Sequence, residues 1–347
     1  MENVFFSRID AGISYPYQLE NLIEKSNIFS QIEAGRFVAV KIRVQDAGNI
    51  HRLDPLFIRV VSEKIKEKGA YPFLIDTTSY YSEKRRDALG LLKVAQLNGY
   101  AEQVTGVPFF AADGLGLQEG YPVISDGLLK ETYIPYLLNE CDYLVVLSDC
   151  KADPHTGFSG ALKNIGAGLT TKKTKLKMHR TVSIKVDDEL CDGCEECMGV
   201  CALRIPKIIN AKAVIEEPAC VRCSKCLKIC PQKAIKINNL ENLQLAVSSS
   251  ARSIVNEFEG RVLFINSAVN ISSADDFSSV SGNLICDDIG FFASYDPVSC
   301  DKAFLDTAGV DLFIKKHGID PLIQVMEAEK ISAGTTNYNL VEIANKV

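Results

Sequence analysis

Two runs of cysteine constrain this chain more than any other feature of its sequence. Eight of the twelve cysteines fall between residues 191 and 230, in two runs that share spacings of two, two and three intervening residues. In a reducing compartment, closely spaced cysteines are more often metal ligands than disulfide partners. The pattern therefore predicts a metal-binding segment, whose candidate ligands are Cys191, Cys194, Cys197 and Cys201 in the first run and Cys220, Cys223, Cys226 and Cys230 in the second.

The spacing within each run discriminates between two kinds of metal centre. Three cysteines two residues apart place three thiolates on one tight loop around a 4Fe–4S cube, and the fourth starts a helix that points to another cube. Thiolates are soft, charged donors that suit iron. The alternative is a pair of zinc knuckles, but four-cysteine zinc sites use two pairs that are usually a dozen or more residues apart. The sequence thus predicts two 4Fe–4S clusters as cofactors.

Over about 50 residues the segment resembles the bacterial two-cluster ferredoxin domain, including Cys230-Pro231 and the following Ala234-Ile235. The resemblance departs from the usual pattern at Ala202, where a proline commonly follows the crossing cysteine. It departs again in the long gap between Cys201 and Cys220, and residues 204–217 are predicted to form a loop or short hairpin over one cluster. The resemblance implies crossed ligation, with one cluster on Cys191, Cys194, Cys197 and Cys230 and the other on Cys220, Cys223, Cys226 and Cys201.

Outside this segment the chain alternates between strand-like and helix-like stretches. Such alternation predicts an α/β fold with a mostly parallel sheet and flanking helices. Residues 1–180 and 239–347 are expected to form one discontinuous α/β domain, and residues 181–238 an inserted α+β ferredoxin-like module; a separate C-terminal domain of about 100 residues is the alternative. Strands are predicted at 37–44, 71–76, 143–148 and 261–266, and helices after Asp54-Pro55, from Ser82, over 128–140, from Asp296 to about Gly318, and after Asp320-Pro321.

A glycine-rich stretch follows the strand at 143–148. Four glycines bracket a short helix predicted at 161–165, and a turn from a strand into a helix start can bind an anion. Six basic residues and no acid lie between Thr156 and Arg180. We expect Lys163 and the N–H groups after Ser159 to hold an anion, and Lys163, as an exposed helical lysine, to matter little for stability. The alternative is a solvated basic loop whose glycines serve only turns.

Four stretches resemble an uncharacterised iron–sulfur-centre protein family, a domain of unknown function that carries a ferredoxin module. They are VAVKIRVQDAGN (38–49), PFLIDTTSYYSEKR (72–85), ADGLGL (112–117) and HTGFSGALKNIGAG (155–168). The chain departs from the family where Arg43-Val44-Gln45 replaces a segment that usually contains histidine and an acid. The resemblance implies a site built from Lys41, Asp76, Asp113, His155, Lys163, Asn164, Lys175 and His179.

Composition narrows the function class. A net charge of −6 argues against a general nucleic-acid-binding protein, and apolar runs of only four residues argue against a membrane span. No secretory signal pattern opens the chain, so a cytoplasmic location is expected. The predicted function is electron transfer between the clusters and a redox partner protein or small anionic substrate, as in an oxidoreductase. The alternatives are a carrier or binding protein without chemistry of its own, and clusters that serve only as structural pegs.

Overall fold

The computed structural model describes residues 1–80, 82, 84–115, 120–273 and 279–345. The chain divides into two compact units. The first, the α/β unit, comprises Met1–Lys175 and Gln244–Val347; the second, the cysteine-rich unit, comprises Leu176–Leu243. Parts of two motif stretches, namely Tyr81, Glu83, Gly116 and Leu117, lie outside the described residues.

The described residues contain the following strands and helices in chain order. The strands are β1 (Glu2–Arg8), β2 (Phe37–Lys41), β3 (Tyr71–Asp76), β4 (Phe109–Ala111), β5 (Gly120–Ile124), β6 (Glu131–Pro135), β7 (Tyr143–Asp149), β8 (Lys151–Asp153), β9 (Gly157–Ser159), β10 (Ser183–Val186), β11 (Pro206–Ile209), β12 (Lys212–Ile215), β13 (Ile235–Asn238), β14 (Val262–Ala268), β15 (Gly290–Ser294) and β16 (Tyr338–Glu342). The helices are α1 (Tyr15–Ser26), α2 (Pro55–Glu67), α3 (Ala88–Leu97), α4 (Glu102–Thr105), a 3-10 helix (Tyr136–Glu140), α5 (Ala161–Gly166), α6 (Lys172–His179), α7 (Glu196–Val200), α8 (Lys225–Ile229), α9 (Glu241–Phe258), α10 (Pro297–Ala308), α11 (Val310–His317) and α12 (Leu322–Lys330).

The α/β unit is built on an eight-stranded sheet of order β16-β1-β15-β14-β7-β2-β3-β4. Strands β14, β7, β2, β3 and β4 are mutually parallel, and β15 is antiparallel to both β14 and β1. This confirms the predicted α/β fold with a mostly parallel sheet. The strands that follow the cysteine-rich unit, β14, β15 and β16, lie in the same sheet as those that precede it.

Both faces of the sheet are buried, as parallel sheets require. Alternate side chains of β2 point to opposite faces, so that Val38 and Val40 belong to one apolar cluster and Ala39 to the other. Helices α1, α2 and α3 contribute to the apolar cluster that contains Val38 and Val40, and α5, α9 and α10 contribute to the one that contains Ala39. Helix α2 begins as predicted, since Asp54 accepts a hydrogen bond from the N–H of Leu56 at 2.8 Å and Pro55 takes the first helical position.

The order of the strands fixes where ligands can approach. From β2 the chain passes outwards through β3 to β4, and it then returns to β7 on the other side of β2. In open α/β sheets the crevice at such a reversal, beyond the carboxyl ends of the strands, is the usual ligand site. Here it lies after Lys41 at the end of β2 and Asp149 at the end of β7.

Three predicted helices differ from the structure. Residues 128–140 contain β6 and a 3-10 helix, because Pro135 has no N–H to donate inside a helix. The helix predicted from Ser82 begins at Ala88 and is capped by Asp87, whereas the Ser82 hydroxyl bonds to Asp46 at 2.7 Å. The helix predicted from Asp296 to Gly318 is interrupted at Gly309, whose φ of 89° does not fit a right-handed helix.

The cysteine-rich unit is an internal repeat with a period of 29 residues. Helix α7 starts at 196 and α8 at 225, β10 starts at 183 and β12 at 212, and β11 starts at 206 and β13 at 235. Strand β10 pairs with β13, and β11 with β12, so each two-stranded sheet takes one strand from each half. The segment predicted as a loop or hairpin, residues 204–217, forms the β11–β12 hairpin.

None of the helices in the described part of the chain combines the length and apolarity of a membrane span.

Candidate functional site

One cavity of the cysteine-rich unit collects four cysteines from both halves of the repeat. Cys191, Cys194 and Cys197 line it together with Cys230, which comes from the second half. The remaining wall of the cavity includes Ile208 and Ala213 of the hairpin and Ala234 and Ile235. These four cysteines are the set predicted to hold one cluster.

The sulfur atoms accept hydrogen bonds from backbone N–H groups. The N–H of Ala213 donates to Cys191 Sγ at 3.3 Å, and the N–H of Ile205 donates to Cys201 Sγ at 3.4 Å. A third bond runs from the N–H of Arg222 to Cys220 Sγ at 3.3 Å. Such bonds stabilise charge on a thiolate and are one of the means by which a protein tunes an iron–sulfur centre.

The cysteines of the second predicted set lie within electrostatic reach of one another. Burial raises the pKa of the Cys220 thiol, and the neighbouring sulfurs of Cys223 and Cys201 raise it further. Burial, with Cys223 and Cys220, raises the pKa of Cys226 to about 12. Cys201 is therefore near Cys220 although it belongs to the other run, and a bound metal would have to displace protons from these thiols.

Among residues 1–80, 82, 84–115, 120–273 and 279–345, no group of three or more His, Cys, Asp or Glu side chains is arranged to hold a single metal ion. A single zinc ion needs four ligands converging at about 2.0–2.3 Å. A 4Fe–4S cube instead takes one thiolate on each of its four irons, so its ligands surround a volume. The cavity lined by Cys191, Cys194, Cys197 and Cys230 has the donor set that a cube needs.

In the α/β unit, the structure brings Lys41, Asp76 and Asn164 together. The Lys41 ammonium is fully buried and lies 2.9 Å from Asp76 Oδ1. It donates to Asn164 Oδ1 and to the Ile42 carbonyl, each at 2.7 Å. Asp76 Oδ2 accepts from the N–H of Val44 at 2.8 Å. This network ties the ends of β2 and β3 to α5.

Asp113 and Lys175 belong to a neighbouring network around Thr77 and Thr78. Asp113 Oδ1 accepts from the N–H of Thr78 at 2.8 Å. Lys175 Nζ donates to Thr77 Oγ1 at 2.6 Å and to the Thr78 carbonyl at 2.7 Å. Burial lowers the pKa of Lys175 to about 8, since removal from water disfavours the ammonium form.

Lys163 pairs with an acid of its own chain. Its ammonium forms a salt bridge with Asp153, and both side chains are largely buried. Asp153 Oδ1 also accepts from the N–H groups of His155 and Thr156, at 3.0 and 2.9 Å. Burial acts to raise the pKa of Asp153, but the charges of Lys163 and His155 outweigh it and hold that pKa well below its usual range.

The start of α5 is likewise occupied from within. The N–H of Ala161 donates to Asp301 Oδ1 at 2.7 Å, and the N–H of Leu162 donates to Asp301 Oδ2 at 2.9 Å. The prediction that Lys163 and these N–H groups hold an external anion therefore needs correction, because Asp153 and Asp301 already supply the negative charge. The stretch from Thr156 to Arg180 contains no acid and therefore suggested an open anion site, but Asp153 precedes this stretch and Asp301 comes from α10.

His179, the eighth predicted residue, lies in the cysteine-rich unit, whereas the other seven lie in the α/β unit.

A buried charge cluster at the carboxyl ends of β2 and β7 is built from residues that are not among the eight predicted site residues. Asp149 Oδ2 is 2.9 Å from Lys151 Nζ, and Asp149 Oδ1 is 3.5 Å from Arg43 Nη1. Gln45 joins them, accepting from Lys151 Nζ at 2.7 Å. Burial acts to raise the pKa of Asp149, but the Lys151 and Arg43 charges lower it overall. The available signal was the charged residue that directly follows the apolar strand 143–148.

Asp149 lies at the wall of a cleft, which we call the edge cleft. The first residues of α1 and α2 form one side of it, and residues after β14 form another. Asp288 Oδ2 accepts from Tyr15 Oη at 3.2 Å, and Asp288 Oδ1 accepts from the N–H of Asn270 at 2.7 Å. The edge cleft is lined by polar side chains and by apolar ones, among them Tyr15, Arg52, Leu53, Phe57, Asp149, Val269, Asn270 and Asp288.

Comparison with known proteins gives distant structural similarity and one family. No curated protein matches the sequence. A crystal structure of a Thermotoga maritima protein is 11% identical, with a TM-score of 0.41, and the match covers 91% of this chain and 59% of the other. Lactate racemase apoprotein from Thermoanaerobacterium thermosaccharolyticum is 13% identical, with a TM-score of 0.32, and the match covers 76% of this chain and 50% of the other. The chain thus spans about half to three fifths of the length of these proteins. A family model described as a domain of unknown function (DUF362) matches residues 38–306, most of the sequence, and the chain belongs to that family.

Proposed function

We propose that the cysteine-rich unit binds two 4Fe–4S clusters and that the protein transfers electrons. The observation that carries the proposal is the position of Cys230. It lines the same cavity as Cys191, Cys194 and Cys197, although it follows Cys197 by 33 residues and belongs to the other half of the repeat. A fourth ligand that crosses between halves is what a two-cluster arrangement requires.

Each set of cysteines would hold one cluster, and each cluster would carry one electron at a time. Cys191, Cys194, Cys197 and Cys230 form the first set; we call its cluster the first cluster. Cys201, Cys220, Cys223 and Cys226 form the second set, which holds the second cluster. The backbone N–H groups of Ala213, Ile205 and Arg222 would stabilise the thiolates of both.

Metal analysis tests this proposal directly. Protein prepared without oxygen should contain about eight irons and eight acid-labile sulfides per chain. A Cys286→Ala variant, which lacks a half-buried cysteine outside both sets, should retain the same content. Stoichiometric zinc without labile sulfide would contradict the proposal.

A second candidate function concerns the α/β unit, where the edge cleft lies at the reversal of strand order. Arg52 lines it together with the carboxylates of Asp54, Asp149 and Asp288. Of these, Asp149 is neutralised by both Lys151 and Arg43, and Asp54 caps the start of α2. This lining favours a small molecule that carries both an acidic group, for Arg52, and hydrogen-bond donors, for Asp54 and Asp288, so we place the substrate here instead of at the start of α5. Binding of such a molecule in this cleft would favour an oxidoreductase over a simple electron carrier.

The cleft can be tested separately from the clusters. A panel of small carboxylates and phosphates is screened for an increase in melting temperature, first with the parent and then with an Arg52→Gln variant. A ligand of the cleft should stabilise the parent and lose at least tenfold in affinity in the variant, because a charge-assisted hydrogen bond contributes about 1.5–3 kcal/mol. Equal binding to both proteins, or no binding by any member, would favour the carrier.

A further inference from the structure

The 29-residue repeat allows each position around one set of cysteines to be compared with its equivalent around the other. The first run, from Cys191 to Cys201, contains three acidic residues and no basic one. The second, from Cys220 to Cys230, contains three basic residues and no acidic one. The two runs share a backbone but carry opposite charge: Asp192, Glu195 and Glu196 in the first, and Arg222, Lys225 and Lys228 in the second.

Arg222 stands out among these charges because it is buried. Its side chain is 8% exposed, and its equivalent in the first half is Gly193. Both residues have left-handed φ angles, 55° for Arg222 and 74° for Gly193. Glycine adopts that conformation freely, whereas arginine adopts it at a cost in stability. The second half therefore retains a bulky cation at a position where the backbone favours glycine.

The guanidinium of Arg222 lies against the second set of cysteines. Nη1 donates to the Cys220 carbonyl at 3.2 Å, whereas the equivalent carbonyl of the first set, that of Cys191, accepts from the half-buried Lys212. Nε is buried and has no hydrogen-bond partner within the described residues. The neighbouring acid, Glu217, is 3.7 Å from Nη2 and is 41% exposed, so it balances the Arg222 charge only in part.

We propose, on the basis of the function proposed above, that Arg222 raises the reduction potential of the second cluster above that of the first. A cluster becomes more negative when it accepts one electron, so a nearby cation stabilises its reduced form. The interaction is stronger for a buried cation than for an exposed one, because water screens it less. Net charge near a cluster is among the factors that set its potential. At equilibrium, an electron that enters the unit then resides mainly on the second cluster.

A redox titration followed by electron paramagnetic resonance tests the proposal, with dithionite as the one-electron donor. The parent should show two midpoint potentials. In Arg222→Gln the higher midpoint potential should fall by at least about 59 mV, which corresponds to a tenfold change in the equilibrium constant of one-electron reduction. In Arg222→Lys it should fall less, because the charge is kept. The control Lys236→Gln removes a lysine that is 55% exposed and should leave both potentials within half of that shift.

Glu217→Gln provides a second measurement with the opposite sign. It removes the partial counter-charge of Arg222, while the amide oxygen can still accept from the N–H of Ile184. The higher potential should rise, and this result stands even if Arg222→Gln assembles poorly. A higher potential that stays unchanged or falls in Glu217→Gln would overturn the role of Arg222, as would equal shifts of both potentials in Arg222→Gln.

Failure of this inference is distinguishable from failure of the proposed function. If the parent lacks eight irons and eight sulfides, the clusters themselves are absent. If the parent contains both clusters and its higher potential does not respond to Arg222 or Glu217, only the assignment of Arg222 is wrong.

Discussion

Asp301 accepts a hydrogen bond from the backbone N–H of Ala161 at 2.7 Å, across 140 residues of sequence. The same carboxylate caps Leu162 at 2.9 Å and accepts from Asn266 Nδ2 at 2.7 Å. Ala161 precedes the cysteine-rich unit in the chain and Asp301 follows it. A buried carboxylate thus joins the two segments of the α/β unit at the start of α5.

Replacement of Asp301 by asparagine should destabilise the α/β unit. An amide has one acceptor oxygen and leaves either Ala161 or Leu162 with an unpaired, buried N–H. The expected loss is about 1–3 kcal/mol in the free energy of unfolding. Urea unfolding measures it, with Asp311→Asn, an exposed acid on α11, as the control that should change stability by less than about 0.5 kcal/mol. Equal stability of the two variants would show that Asp301 is not a structural cap.

Crossed ligation makes a selective prediction for Cys230. A Cys230→Ala variant should impair the first cluster, held by the distant Cys191, Cys194 and Cys197, because all four line one cavity. Iron content should fall towards half, and the spectroscopic signal of the second cluster should remain. Loss of the second cluster alone would mean that each run of cysteines holds its own cluster.

The elements that sequence reasoning anticipated are those whose signals are local. Strands β2, β3, β7 and β14 are rich in apolar side chains because both their faces are buried. The start of α2 is marked by the pair Asp54-Pro55. Strands β1, β15 and β16 were missed, because their pairing is long-range: β1 pairs with β15 almost 290 residues away. The partner of the α5 N–H groups was missed for the same reason, because Asp301 is brought there by tertiary structure and leaves no mark on the local sequence. Asp153, the partner of Lys163, lies only ten residues earlier in the chain, just before the stretch in which no acid occurs.

Lys163 should prove structural, in contrast to the expectation from sequence. Lys163→Gln leaves the Asp153 carboxylate buried without its cation, and breaking a buried pair in this way costs about 3–5 kcal/mol. Because the pKa of Asp153 is lowered in the folded state, its stabilising contribution is present above its unfolded pKa of 3.8 and is lost as the pH falls below that value. The difference in unfolding free energy between parent and variant should therefore shrink below about pH 4. A variant as stable as the parent at pH 7 would restore Lys163 as a candidate ligand-binding residue.

Lys175 should give the α/β unit a stability that rises in alkaline solution. Its pKa is about 8 when folded, against an ordinary lysine value of 10.5, because burial disfavours the ammonium form. Between these two values the unfolded chain binds more protons than the folded one, so the free energy of unfolding increases with pH. Below pH 8 both states are protonated and the contribution is constant. Compared with Lys175→Met, which has no titrating group at this position, the parent should gain about 2–3 kcal/mol in the free energy of unfolding between pH 8 and 10.

Urea unfolding across this range measures the difference, and Lys93→Met, which removes an exposed lysine, should follow the parent. Parallel pH profiles for the parent and Lys175→Met would mean that Lys175 keeps its ordinary pKa and that its ammonium is hydrated in the folded protein.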